Sequence, residues 1–242
     1  MLCWAAPARA QHHHEADTDA ASFAAGVAMV AAAFETMLYA GNYQGVIPSL
    51  RWANERFAAG ASAAAYRLEE NGATFYGFGD VIVHGQVTVI GDRAARAGVL
   101  ASISAPTGDD RRGLGMGHVM LMPALFGIWA IDRVVLAATA GYSRAIGGSS
   151  AHEHGMWPLV EPMNVSEVTW SAGGGYAITP AVQVGARVSG GIPIGLPGDN
   201  RVIGSLRGAW ASGRFQTAAE LQAGIAGDPF IIRGVVSTAL SF

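Results

Sequence analysis

Apolar and polar side chains alternate along most of the chain, most clearly over residues 230–242. One set of alternate positions there is mainly apolar and ends on Phe242, whereas the other set carries Arg233, Ser237 and Ser241. A period of two residues predicts a β-strand with one apolar and one polar face. The same alternation predicts about twelve strands, near 23–39, 43–54, 56–69, 73–90, 93–105, 115–131, 133–146, 164–178, 181–191, 200–211, 214–225 and 229–242. For the Ala-rich start, 20–34, a short helix is the alternative.

The connections between these strands differ in length. Tight turns at 53–56, 91–92, 132–133, 179–180 and 212–213 are separated by generally longer segments, notably 105–115, 147–163 and 192–199. This alternation is typical of membrane barrels with an even number of strands. The sequence therefore predicts an all-β fold, a transmembrane antiparallel up-and-down β-barrel of about 12 strands over 23–242 that contacts outer-membrane lipid. A soluble barrel or sandwich is the alternative, and it would have to bury the long apolar face.

Composition supports a membrane protein that lacks membrane helices. The 242 residues are 51% hydrophobic and only 14% charged, whereas a soluble domain is about 25% charged. The apolar run at 20–34 is too short for the roughly 20-residue helix that a bilayer requires, and Asp132 and Arg133 interrupt the run at 120–142. A closed barrel can cross a membrane without apolar helices, because it pairs every backbone group within lipid. A net charge of −3 with no basic run argues against nucleic acid as a partner.

Both ends of the sequence indicate export to the outer membrane of a Gram-negative bacterium. Ala8-Arg9-Ala10 fits a small-residue cleavage site, so 1–10 is interpreted as a signal peptide, truncated because its charged start is missing. Residues 11–22 then form a polar, His-rich tail, and the loss of Cys3 leaves no cysteine, which suits the periplasmic route. The terminal Phe242 resembles the C-terminal signature of bacterial outer-membrane barrels, which implies the barrel-assembly machinery as a partner.

Two glycine-rich stretches resemble motifs of one protein family. Residues 75–81 read FYGFGDV and residues 104–117 read SAPTGDDRRGLGMG. Their order and spacing resemble the motifs of the family named for the MetA pathway of phenol degradation. The resemblance implies an outer-membrane transporter for small, often aromatic molecules. In physical terms, Gly108 and Gly113 suit a loop with positive φ, and Pro106 suits the end of a strand.

Polar residues on the predicted lumen face are candidates for selecting a solute. In the last three strands, three arginines outnumber Glu220 on this face, which predicts a local positive excess that favours anions or electron-rich solutes. Arginine also stacks on aromatic rings. The leading hypothesis is therefore passive or facilitated transport of small, possibly aromatic, molecules. The candidate lumen residues are Asp80, His84, Arg201, Arg207, Gln216, Glu220, Gln222 and Arg233, together with Arg96.

Three groups of His and Met residues define a second hypothesis, a metal-binding outer-membrane protein. An N-terminal amine with a third-position imidazole suits square-planar Cu(II), and imidazole with thioether is a ligand set suited to copper. The alternative is that these residues bind no metal and form only a polar tail, a surface loop and lumen packing. In that case no cofactor is expected. The groups are His12, His13 and His14; His152, His154 and Met156; and His118, Met120 and Met122. A third hypothesis is a closed structural or adhesive barrel.

The sequence argues against an enzyme. No G-x-S-x-G elbow surrounds a serine. Asp80 and His84 are four residues apart on one strand face, about 13 Å, which is too far for a direct hydrogen bond. The glycines at 113, 115 and 117 do not follow a strand within a βαβ unit, so they do not indicate a nucleotide site.

Overall fold

A computed structural model describes residues 21–36, 39–92, 94–147, 160, 163–195 and 199–242. One 3-10 turn, Asp110–Arg112, interrupts an otherwise β-stranded structure. The strand segments are β1 Ser22–Glu35, β2 Ala40–Ala53, β3 Phe57–Ser62, β4 Ala65–Glu70, β5 Ala73–Phe78, β6 Val81–Gly91, β7 Ala95–Ala105, β8 Val119–Ile131, β9 Val134–Ile146, β10 Ser166–Ala177, β11 Val182–Pro193, β12 Arg201–Ser212, β13 Phe215–Ala226 and β14 Phe230–Ser241.

These segments form a closed antiparallel barrel of twelve strands. Segments β3 and β4 are parts of one strand interrupted at 63–64, and β5 and β6 are parts of another interrupted at 79–80. Segment β1 pairs with both β2 and β14, which closes the barrel. The predicted fold class is therefore confirmed, and β1 is a strand, not the short helix considered as its alternative. No helix among the described residues is long and apolar enough to cross a membrane.

The outward face of the barrel is apolar. Alternate positions expose large side chains such as Met29, Leu125, Leu206 and Leu221. Aromatic side chains form a girdle near one end of the strands. An apolar band with an aromatic girdle is typical of a transmembrane barrel, so the soluble barrel or sandwich is disfavoured. The girdle consists of Phe23, Phe57, Trp129, Tyr176, Trp210, Phe215 and Phe242.

The two ends of the barrel differ in their connections. The end with the aromatic girdle has short turns at 54–56, 92–94, 132–133, 178–181 and 213–214. The opposite end has long connections at 106–118, 147–165 and 194–200, but also short ones at 36–39, 71–72 and 227–229. Because periplasmic turns are short and external loops are longer, we call these the inner and the outer end. The predicted length alternation thus holds for half of the outer connections.

A β-bulge changes the predicted faces of β14. The register against β1 shifts between Ala33 and Phe34, opposite Ile232 and Phe230. As a result, Phe230 is buried in the lumen with Arg233, and Ile231 and Ile232 both face outward. The alternation had assigned Phe230 to the apolar outward set, and that assignment is wrong. A bulge adds one residue to a strand and reverses its phase, which strict alternation does not reveal.

Candidate functional site

The outer half of the lumen is tightly packed. The deeply buried large side chains of the barrel all point inward from the outer part of their strands. Three of them form an aromatic group, in which the ring centroid of Tyr43 lies 6.5 Å from that of Phe34 and 5.9 Å from that of Tyr66. The inward side chains nearer the inner end are mostly half-exposed, so the described residues leave the lumen accessible at that end. Among the described residues, the largest fully buried side chains are Phe34, Tyr43, Leu68, Met120, Ser143, Glu167 and Phe230.

Two outer connections add residues to this packing. Leu114, from the 106–118 loop, lies so close to β5 that a Cβ on Gly77 would come 2.7 Å from its Cδ1. The backbone oxygen of Val160 accepts hydrogen bonds from the Tyr43 hydroxyl at 3.3 Å and from Arg233 at 3.4 Å. Both loop residues are buried in one cluster with the aromatic group. We call the following set the plug: Phe34, Tyr43, Tyr66, Leu68, Leu114, Val160 and Phe230.

Asp80 fastens the 106–118 loop to the barrel wall. It lies where β5 ends and β6 begins, and its Oδ1 accepts the Gly108 N–H at 2.8 Å. Its Oδ2 accepts the Met116 N–H at 2.9 Å and the Ser104 hydroxyl at 3.3 Å. The Asp80 carboxylate is therefore engaged by the loop, whereas the sequence pattern suggested a charge on the lumen surface.

The glycines of the two motifs allow this close approach. A Cβ on Gly108 or Gly115 would come 2.9 or 2.8 Å from Asp80 Oδ1. Gly113 has a φ of 70°, as expected for a loop glycine, but Gly108 is not among the residues with positive φ. The requirement for glycine at Gly108 is therefore one of space and not of backbone conformation.

A small, mainly apolar cavity lies beside the plug. It has a volume of about 30 Å³ and lies between the 106–118 loop and the wall built by β2, β4 and β6. A volume of this size holds water but no larger solute. Its apolar lining residues include Ile47, Tyr66, Ile82, Leu114, Met116 and Val160. This cavity lies in the packed outer part of the lumen, and Ser62 and Asp80 also line it.

The predicted lumen residues of β13 and β14 take part in a hydrogen-bonded chain. Arg233 Nε donates to Gln222 Oε1 at 2.6 Å, and Gln222 Nε2 donates to Glu220 Oε1 at 2.6 Å. Glu220 also forms an ion pair with Arg187 of β11 at 3.2 Å. The sequence analysis missed Arg187, although its alternation with the outward Val188 could have identified it.

Arg201 belongs to a buried ionic cluster near the outer end. Its guanidinium lies 2.5 Å from Glu167 Oε1 and 3.6 Å from Asp228 Oδ2, and both carboxylates are fully buried. Asn164 donates to the second oxygen of Glu167 at 2.7 Å. Burial raises the pKa of Asp228, against the opposing effect of Arg201. Because Glu167 and Asp228 were overlooked, the positive excess predicted from Arg201, Arg207 and Arg233 over Glu220 was too large.

The remaining predicted lumen residues lie nearer the inner end. Arg207 is directly opposite Glu220 in the register of β12 and β13, and Gln216 lies further along the same face of β13. His84 and Arg96 face the lumen from β6 and β7. Within the part of the chain that the structure describes, neither Arg207 nor Arg96 has an ion-pair partner.

The metal hypothesis gains little from the described residues. His12, His13, His14, His152, His154 and Met156 lie outside them, as does the predicted signal peptide. Met120 and Met122 face the lumen from β8, and His118 Nε2 lies 3.2 Å from Met120 Sδ. Over the described ranges, no three His, Cys, Asp or Glu residues converge as a metal site.

Several solved structures share the fold of the chain. It is similar to an outer membrane channel from Pseudomonas putida F1, with a TM-score of 0.72 and 11% identity over 96% of this chain and 100% of that one. The KdgM porin matches with a TM-score of 0.58 and 9% identity over 90% and 99% of the two chains. The translocator domain of autotransporter NalP from Neisseria meningitidis matches with a TM-score of 0.59 and 12% identity, over 94% and 90%.

No protein-family model and no curated protein matches the sequence. The resemblance to the phenol-degradation family therefore stays a prediction. The closed barrel, its apolar outward face and the shared fold place the chain in the outer membrane of a Gram-negative bacterium.

Proposed function

We propose that the chain is a channel for passive uptake of small, mainly apolar molecules, with aromatic compounds as the preferred class. The observation that carries this proposal is the small cavity beside the plug, which we take as the constriction and whose lining is mainly apolar, with Ser62 and Asp80 as its polar side chains. Apolar constrictions oppose hydrated ions, because an ion has to shed water there without gaining polar partners. An apolar solute loses much less hydration free energy on entering the constriction.

The plug supports the aromatic preference. Phe34, Tyr43, Tyr66 and Phe230 present rings to the outer lumen, and the guanidinium of Arg233 lies 4.3 Å from the centroid of the Phe230 ring. Aromatic pairs gain from edge and stacked contacts beyond the area that they bury. A planar solute can exchange contacts with these rings as loop residues move aside.

The test is the initial rate of labelled benzyl alcohol uptake by Gram-negative cells that lack their general porins and produce this protein. We expect faster uptake than in cells without the protein, and little uptake of glucose. Leu114→Ala removes the loop side chain from the constriction and should raise the benzyl alcohol rate by about threefold or more, because it opens a cavity next to the passage. Leu206→Ala is the matched control, since Leu206 faces lipid.

Two results would contradict this proposal, the first its channel function and the second the constriction at Leu114. One is equal uptake by cells with and without the wild-type protein. The other is an unchanged rate in Leu114→Ala when the variant is folded and present at the wild-type level. Together they would favour the closed structural or adhesive barrel.

A further inference from the structure

Charged side chains on the outward face of the barrel are confined to its outer end. On the strands that the structure describes, this face carries Glu35, Arg67, Glu69 and Arg144 as its charged residues. Arg67 is paired with Glu69 at 2.9 Å. Arg144 of β9 is exposed and has neither an ion pair nor a hydrogen bond from its side chain to any described residue. A lipid-facing cation without a protein partner takes its compensating charge from the lipid or its headgroups.

Arg144 lies near the outer boundary of the membrane. Leu136, on the same face of β9, is the register partner of Trp129 in the inner aromatic girdle, and Arg144 lies eight residues further along the strand. Eight residues span about 26 Å, and a strand tilt of about 40° turns this into a rise of about 20 Å across the membrane. The apolar band of a barrel is about 25 Å tall. The long arginine side chain therefore reaches the level of the outer headgroups.

Two hydroxyl groups lie beside Arg144. Ser166 of β10 is its register partner, and the Ser166 hydroxyl lies 2.7 Å from that of Tyr142. Tyr142 precedes Arg144 by two residues and therefore shares its outward face. One of the two hydroxyls donates to the other, which leaves one O–H for an external acceptor. A guanidinium with a neighbouring O–H suits the oxygens of a phosphate group.

Small residues form a shallow depression in the outward face directly below this polar group. Ala138 and Ala140 precede Tyr142 on the same face of β9, and both are exposed. A Cβ on Gly127, the register partner of Ala138 on β8, would meet no atom within 4 Å. Larger side chains surround these positions, so the depression has the width of a few small residues and can hold an acyl chain. It consists of Gly127, Ala138, Ala140 and Ala172, and its rim consists of Leu125, Leu136 and Trp170.

We propose that Arg144, Tyr142 and Ser166 bind a phosphate of lipid A, the phosphorylated and acylated glucosamine disaccharide of the outer leaflet, and that one of its acyl chains lies in the depression. The phosphate supplies the negative charge that no described residue supplies to Arg144. The chain order also fits, because the headgroup lies at the outer end and the acyl chain extends from there towards the centre of the membrane. The site faces lipid and not the lumen, so this inference does not depend on the proposed channel.

The experiment is native mass spectrometry of the detergent-solubilised full chain, titrated with purified lipid A or with dephosphorylated lipid A. Lipid A should bind about tenfold more tightly than the dephosphorylated form, the difference expected from charge-assisted hydrogen bonds. Arg144→Gln should lose this advantage, whereas Arg144→Lys should keep part of it. Arg133→Gln, in an exposed inner turn, controls for the loss of a positive charge elsewhere. Ala140→Trp fills the depression and should weaken the binding of both lipids.

The proposal is overturned if folded Arg144→Gln binds lipid A as tightly as the wild type does. Folding of each variant is checked by its heat-modifiable electrophoretic mobility. Displacement of lipid A by an equal concentration of inorganic phosphate would overturn the assignment to a lipid and indicate a general anion site. Unchanged lipid A binding in Ala140→Trp would overturn the placement of the acyl chain. A dimer of the lipid-free wild type that Ala140→Trp abolishes would overturn the lipid site in favour of a contact between two copies of the chain.

Discussion

Asp80 shows how far a single residue could be interpreted from the sequence. The motif around Asp80 pointed to a strand start next to a glycine-rich loop, and both are present. Its partners could not be derived, because the chain changes phase at 79–80. Gly77 faces inward before this point, and Ile82 and His84 face inward after it. Alternation across the break therefore does not locate the Asp80 carboxylate, which bonds to N–H groups 28 and 36 residues away.

Asp80→Ala should release the 106–118 loop. The substitution removes the acceptor of two backbone N–H groups and one hydroxyl, and hydrogen bonds to a charged group contribute about 1.5–3 kcal/mol each. Trypsin cleavage after Arg111 or Arg112, both exposed in this loop, should become at least about tenfold faster. The rate is measured by mass spectrometry of the folded protein.

Asp92→Ala is the matched control for this loop experiment. Asp92 accepts backbone hydrogen bonds within an inner turn, at 2.7 Å from the Ala94 nitrogen and 3.1 Å from that of Ala95. The Asp92→Ala substitution should leave the rate of trypsin cleavage after Arg111 and Arg112 unchanged. Equal cleavage rates in Asp80→Ala and wild type would show that other contacts hold the loop.

At the scale of elements, the strands were predictable and their irregularities were not. Each of the twelve predicted strands coincides with one in the barrel, because a lipid-facing surface forces strict alternation. The bulge in β14 and the breaks at 63–64 and 79–80 interrupt this period over one or two residues only. The partners of Arg201 were missed for a related reason. Glu167 stands at the outer end of β10 and Asp228 stands in a turn, where alternation carries little information.

The Asp228 carboxyl should make stability depend on pH. Burial raises its pKa above the ordinary value, so the folded protein favours the protonated form. The stabilisation is complete below the ordinary pKa and is lost as the pH rises through the raised one. Between about pH 4 and pH 7, the unfolding temperature of the wild type should therefore fall relative to that of Asp228→Asn, which remains neutral.

Heat-modifiable mobility on gels gives the unfolding temperature for this comparison. Asp132→Asn, in an exposed inner turn, removes the same charge without affecting the buried cluster. A difference between the wild type and Asp228→Asn that is constant with pH, or that grows in favour of the wild type as the pH rises, would contradict the prediction. It would mean that Arg201 outweighs burial at this carboxyl.

For the whole molecule, the main finding is that the two halves of the lumen differ. The sequence indicated a barrel of intermediate size but did not decide whether its interior is open, because lumen packing depends on which loops fold inward. Leu114 and Val160 do so, and neither belongs to a strand. The result is a plug at the outer end and, among the described residues, an accessible interior towards the periplasm.

This asymmetry predicts unequal access to introduced thiols. Ser143→Cys places a thiol at a fully buried inward position in the outer half, whereas Ser237→Cys places one on the inward face of β14, where the serine is half-exposed. With Cys3→Ala as background, the thiol at 237 in the purified protein should react with a small charged methanethiosulfonate reagent at least about a hundredfold faster, since deep burial requires local opening first. In intact cells the plug should slow labelling at 237 as well, because the reagent must enter from outside. Equal rates at the two positions in the purified protein would show that the outer half is as accessible as the inner half, and the plug would then not be the barrier to solutes.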